Sequence, residues 1–240
     1  MEYKQAFLKR GSRYDYAVNK YGNVLKEEFT TAVRVLDLKP FESVVVIPAG
    51  GMPLHKYIDD KLNIAYHAFE PLKNEHNDFS MKYCELTQIP LGDCSIDKMI
   101  TLATFHHVHE KREETLTEFR RVLKNEGILV IGDVIEGSPQ ATWLNEFVNK
   151  WNSNGHNGYF LQTAHASDIE KLGFQVEVST ESYNWSFDND DEALDFVLNL
   201  FGLDLIEDTN TLLDAMKDIL GYHNLKFRWE LMYFKCKKVT

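Results

Sequence analysis

The sequence predicts an α/β protein on a doubly wound sheet of about seven strands, mostly parallel with an antiparallel last strand, plus a helical insertion near the C-terminus. Three observations carry this. Short β-branched runs, apolar on both faces, recur along the chain, as buried parallel strands require. Helical patterns separate them, as right-handed crossovers require. Two late alternating runs bracket a helical stretch, which suits a sheet finished by an antiparallel pair.

The elements follow in order. Arg13–Tyr21 reads as an N-terminal helical segment containing Tyr14, Tyr16 and Tyr21. Ser43–Ile47 (SVVVI) is the first strand, and Ile64–Phe69 (IAYHAF), Lys98–Ala103 (KMITLA) and Gly127–Ile131 (GILVI) are further strands. Lys111–Lys124 is the clearest helix, with Leu116, Phe119, Val122 and Leu123 on one face. Asn125–Gly127 should end it, because asparagine and glycine favour the left-handed C-cap. Trp143–Trp151 reads as helical, Asn152–Gly158 as a polar loop and Ala166–Leu172 as a helix stopped by Gly173. An alternating strand, Phe174–Val178, comes next. Asp190–Leu220 is two helical segments broken near Gly202–Asp208, and Lys226–Lys235 is the last strand.

At 240 residues a single domain is expected. Its parts are residues 1–40 as an N-terminal lid segment, 41–187 and 223–240 as the core, and 188–222 as a helical insertion over the cleft. The net charge of −11 disfavours nucleic acid as a partner. The densest cations, Lys111–Arg112 and Arg120–Arg121–Lys124, are interleaved with glutamates on one helix, as a solvated face would be. No apolar run approaches the roughly 20 residues that cross a bilayer, and the N-terminal stretch has no signal-peptide h-region. A cytoplasmic monomer or homodimer with no membrane partner is the expectation. Cys84, Cys94 and Cys236 show no C-x-x-C spacing and read as reduced thiols.

In an open α/β sheet, ligands bind beyond the carboxyl ends of the strands. The turn after the first strand is Ile47-Pro48-Ala49-Gly50-Gly51-Met52, whose paired glycines allow close backbone approach. Glu70 ends the second strand, where a carboxylate can accept both hydroxyls of a ribose. Glu85-Leu86-Thr87-Gln88-Ile89-Pro90-Leu91 and Ser95-Ile96-Asp97-Lys98-Met99-Ile100 follow, then Phe105-His106-His107-Val108 and Glu118-Phe119-Arg120-Arg121-Val122-Leu123-Lys124-Asn125-Glu126-Gly127.

In this order the run, from about Phe41 to Val134, resembles the class I, S-adenosylmethionine-dependent methyltransferases of the small-molecule type, which share a Rossmann-like sheet. The resemblance implies S-adenosylmethionine as cofactor and a small-molecule methyl acceptor. It implies cofactor contacts from Ala49, Gly50 and Gly51, from Glu70 and Pro71 on the ribose side, and from Glu85 and Leu86 around the adenine. Ala103 and Thr104 would border the methyl donor, and Tyr21 would close over the cofactor. Three positions depart from the family's first motif: Val46 replaces an acid, Pro48 the first glycine and Met52 the last. They leave open two alternatives: a methyltransferase-like binding or scaffold protein, or a cofactor-binding homologue that catalyses another reaction. A nicotinamide dehydrogenase would want G-x-G-x-x-G here, and Gly50-Gly51-Met52-Pro53 lacks the third glycine.

His106, His107 and Asp133 are the catalytic candidates. A histidine at the strand-to-helix turn could act as general base, or could pack or cap the turn, and Asp133 could orient it or an acceptor. The H-H-x-H run of His106, His107 and His109 has no cysteine or carboxylate spaced to close a site, so no metal is expected. His165, in a loop before a short helix, could reach the acceptor. The late aromatics Trp185, Phe187, Phe196, Phe201, Tyr222 and Trp229 should pack the insertion on the sheet, with some lining an apolar pocket.

Overall fold

The computed structural model describes residues 11–49, 54–71 and 82–239. Helix α1 (Gly11–Lys20) is followed by α2 (Lys26–Leu36), which buries Phe29, Ala32, Val35 and Leu36 at helical spacing and ends on Asp37 in the left-handed region. The chain then enters β1 (Ser43–Val46), β2 (Ala65–Glu70), the two-residue β3 (Lys82–Tyr83) and β4 (Ile96–Leu102). A single 3-10 turn, Phe105–His107, leads towards α3 (Arg112–Val122) and β5 (Leu123–Asp133).

Helix α4 (Pro139–Thr142) runs on as a π-helical turn, Trp143–Val148, into α5 (Asn149–Trp151). Then come α6 (His165–Lys171), β6 (Phe174–Ser186), α7 (Asp190–Leu200), α8 (Thr209–Leu220) and β7 (Lys226–Lys238). Asn189 caps α7 by accepting from the Glu192 N–H, and Gly221 at φ 68° ends α8.

The sheet order is β3-β2-β1-β4-β5-β7-β6. Strands β1 to β5 pair in parallel, and β7 lies antiparallel between β5 and β6. The doubly wound sheet with an antiparallel last strand is therefore as expected. Val44 and Val46 face one core with the N-terminal and C-terminal helices, whereas Val45 and Ile47 face a second core with Leu116, Phe119 and Ile169. This explains why β1 is apolar at every position. Among the described residues no helix is long and apolar enough to cross a membrane.

Two expectations are corrected. Helix α3 stops at Val122, and Asn125–Gly127 lies inside β5, where Glu126 at φ 65° forms an irregularity instead of a helix cap. A Cβ on Gly127 would stand 2.8 Å from the Lys124 carbonyl oxygen, so the turn needs the missing side chain. Strand β6 continues eight residues past the expected Val178, pairing with β7 from Phe174 to Ser186.

Candidate active site

The carboxyl ends of β4 and β5 form the centre of the site. Ala103, directly after β4, sits at φ 50°, in the left-handed region that costs a side chain of order 1 kcal/mol, and its N–H donates to the Gly132 carbonyl at 2.7 Å. That bend turns the chain into the 3-10 turn that carries His106 and His107, both buried. Asp133 ends β5 fully buried. Its Oδ2 accepts from the His106 backbone N–H at 2.8 Å, its Oδ1 pairs with His106 Nδ1 at 2.7 Å, and Oδ1 also accepts from the Val134 N–H at 2.7 Å. Asp133 thus caps its own turn and orients a histidine at once.

A cavity of about 60 Å3 opens beside this pair, lined by Tyr14, Glu28, Ala103, His106, His156 and Trp229 among others. Glu28 and His156 had no signal in the sequence. Glu28 belongs to the first turn of α2. Its carboxyl is 4% exposed, and Oε2 has no hydrogen-bond partner among the described residues. Burial pushes it up to about 8, the nearby Trp185 indole offsets part of this, and the charge of Asp133 adds to it. His156 comes from the polar loop after α5 and lies 5.3 Å from His106, ring centre to ring centre.

The remaining candidates separate. Ala49 is buried and donates to the Phe69 carbonyl at 2.8 Å, tying the turn after β1 to the end of β2. Glu70 is 3% exposed at the end of β2, and Pro71 beside it is half-buried. Glu85 is exposed in a turn bridged to Gln88, whereas Leu86 packs on the second core. Gly50 and Gly51, with Met52, lie outside the described residues. Tyr21 does not line the cavity. Its hydroxyl donates to Asp195 on α7, so it fastens α1 to the helical region, and Tyr14 is the tyrosine at the cavity wall.

His109 leaves the cluster to pack its ring on Tyr159. Both border a separate groove of about 400 Å3 with Arg112 and His165, against the second core on the other face of the sheet. Burial lowers the pKa of His165 there. Of the late aromatics, Trp185, Phe201 and Trp229 line the cavity, with the two tryptophan rings stacked at 4.4 Å, and Phe187, Phe196 and Tyr222 pack behind them.

The fold places this small, largely apolar cavity beyond the carboxyl edge of the sheet, where open α/β sheets bind their ligands. Residues 60–131 match the model of a methyltransferase domain. A Bacillus halodurans protein assigned as a methyltransferase superposes with a TM-score of 0.61 at 16% identity, covering 89% of this chain and 100% of that one. The YcgJ protein of Bacillus subtilis gives 0.60 at 12%, covering 90% and 99%. A Haemonchus contortus phosphoethanolamine N-methyltransferase, solved with phosphomonomethylethanolamine and S-adenosylhomocysteine, gives 0.59 at 15%, covering 100% of this chain and 61% of that one. Among curated proteins no sequence matches the chain. Residues 60–131 are thus similar to a methyltransferase domain, and the likeness to these solved structures is a likeness of fold.

Proposed function

We propose that the chain transfers the methyl group of S-adenosylmethionine to an oxygen, nitrogen or carbon atom of a small-molecule acceptor. The observation that carries this reading is the small cavity where Ala103, His106 and Glu28 meet at the strand ends. At about 60 Å3 it has room for no more than the reacting end of an acceptor. The N-terminal helices and the helical stretch 188–222 form its acceptor side.

The residues present fit the cofactor. Glu70 is a buried carboxylate at the end of β2, suited to the ribose hydroxyls, with Pro71 beside it. Of the expected turn beneath the cofactor Ala49 is among the described residues; Glu85 and Leu86 would take the adenine side, and Ala103 would border the methyl donor. Tyr21 serves this site through its hold on α7, and Tyr14 takes the place at the wall.

When bound, the cofactor supplies an electrophilic methyl group. The chain supplies alignment, exclusion of water and a destination for a proton. Glu28, pushed up to about 8, is poised to exchange a proton near neutral pH. His106, fixed by Asp133, orients the acceptor in the cavity.

Calorimetric titration with S-adenosylmethionine and S-adenosylhomocysteine, followed by labelled-methyl transfer across an acceptor library, tests this reading. Saturable binding and a methylated product are expected. No heat and no thermal shift at millimolar cofactor would overturn it. Cofactor binding without methyl turnover would favour a different reaction on the same fold. The [4+2]-cyclase SpnF, which superposes with a TM-score of 0.53 at 12% identity, is a solved example of a cyclase with this fold.

A further inference from the structure

His106 and His156 line the cavity, and His107 clusters with them. All three are buried, and one ring nitrogen of each lies within 4.8 Å of the other two. We propose that this cluster is a metal site, in which three imidazoles hold one divalent first-row ion, best matched by zinc, with a remaining position open to the cavity.

The first support is the orientation of the rings. His106 Nδ1 is engaged by the Asp133 carboxylate and His156 Nδ1 by the Asn145 side-chain oxygen at 3.1 Å. Both oxygens are acceptors, so both rings carry the proton on Nδ1 and present the Nε2 lone pair. A carboxylate or carbonyl behind the non-ligating nitrogen is the usual outer support of a metal-bound histidine.

The second support is how firmly the loop is built. Asn145 lies in the π-helical turn, a feature that recurs at functional sites. Its Oδ1 also accepts from the Gly158 N–H at 2.7 Å, and its Nδ2 donates to the Gly158 carbonyl at 2.9 Å. Asn149 accepts from the His156 N–H at 2.8 Å, and the Tyr159 N–H donates to the His106 carbonyl at 2.9 Å. A Cβ on Gly158 would stand 2.9 Å from the His106 ring, so only glycine lets the loop come this close. Two asparagines, Asn145 and Asn149, thus fix the loop that places one buried imidazole.

The third support is the donor chemistry. Three neutral nitrogen ligands suit zinc, iron, nickel or copper and not calcium or magnesium. Three protein ligands with a fourth position open are the arrangement of catalytic zinc. Zinc–nitrogen bonds of about 2.0–2.1 Å place tetrahedral ligand atoms about 3.4 Å apart, so loading draws the rings inward by up to about 1.4 Å. His106 and His156 both border the cavity, so the open position faces the acceptor space. An acceptor with an oxygen or nitrogen donor would be selected there, with Glu28 still available for its proton. That last consequence rests on the methyltransferase reading; the metal content does not.

The test uses the whole chain, stripped with chelator, then titrated with Co2+ for its visible ligand-field bands or loaded with Zn2+, gel-filtered and analysed for metal. One ion per chain is expected. It should be retained in His109→Ala, which alters an exposed histidine outside the cluster, and weakened at least 10-fold in His156→Gln and in Asn145→Ala. Thermal melts with and without Zn2+ supply a readout on the unaltered protein, which should melt higher with the ion present. Less than a tenth of an equivalent of metal in the folded, unaltered chain, or undiminished binding in folded His156→Gln, overturns the proposal. Cofactor titration is a separate measurement, so failure here and failure of the methyltransferase reading are distinguishable.

Discussion

Asp133 holds His106 at two points, through the backbone N–H and through ring Nδ1, at 2.8 and 2.7 Å. The end of β5 is thereby fastened to the turn that follows β4, and the ring is fixed in one orientation at the cavity wall. Asp133→Ala would leave three buried donors without an acceptor, those of His106 N, His106 Nδ1 and Val134 N. A loss of about 3 kcal/mol or more in urea unfolding is expected. Asp133→Asn keeps the shape but turns an amide towards one of those donors, and should fall between the two. Asp133→Ala within experimental error of the unaltered chain would show that the pairing contributes nothing.

Glu28 gives the fold a defined pH dependence. Its folded pKa is raised to about 8 by burial, above the ordinary value of 4.5, so the folded state keeps a proton that the unfolded state releases. Stability from this group is therefore highest below about 4.5 and falls as pH rises towards 8, by a few kcal/mol in total. Glu28→Gln removes the ionisation and keeps the size. Its melting temperature should exceed that of the unaltered chain at pH 8 and above, and the two curves should converge near pH 5. Parallel curves from pH 5 to pH 9 would contradict the assignment.

The sheet was legible because its strands announce themselves locally: SVVVI and GILVI are apolar on both faces, and only a buried parallel strand needs that. The second half of β6 was hidden. From Ser179 to Ser182 both faces are polar and largely exposed, as befits an edge strand, so alternation resumes only at Tyr183 and Trp185. His106 and Asp133 were legible as strand-end polar residues, because position in an α/β sheet alone marks them. Glu28 was not, since a glutamate in the first turn of an amphipathic helix looks solvated until a second layer covers it. Nor was His156, whose place is set by Asn145 and Asn149 across a loop and not by any pattern in its own neighbourhood.

Gly158 is a steric requirement and not a conformational one. A Cβ there would lie 2.7 and 2.8 Å from the Phe160 ring and 2.9 Å from His106. Gly158→Ala must displace that ring or the loop, at a cost of about 1–3 kcal/mol. Its melting temperature should fall, and ligand binding in the cavity should weaken with it. Gly137→Ala offers a contrast: nothing lies within 4 Å of its Cβ, so any loss there reflects only its φ of 75°. A Gly158→Ala chain as stable as the unaltered one would mean that Phe160 has room to move.

The N-terminal helix is held to α7 by one carboxylate. Asp195 accepts from the Tyr21 hydroxyl, from Tyr16 at 3.1 Å and from Lys20 at 2.9 Å. The Lys20 contact lies at the surface and contributes little. The Tyr21 contact is sheltered, with its ring edge-on to Phe196 at 5.7 Å, and should contribute about 1 kcal/mol. Asp195→Ala should therefore speed hydrogen exchange in α1 several-fold while leaving the strands of the central sheet protected as before. Tyr21→Phe should do less, because Tyr16 and Lys20 still reach Asp195. Because Tyr14 on the same helix lines the cavity, loosening α1 should also weaken acceptor binding more than cofactor binding. Unchanged exchange in α1 of Asp195→Ala would show that apolar packing of Ala17 and Val18, both buried, holds the helix without the carboxylate.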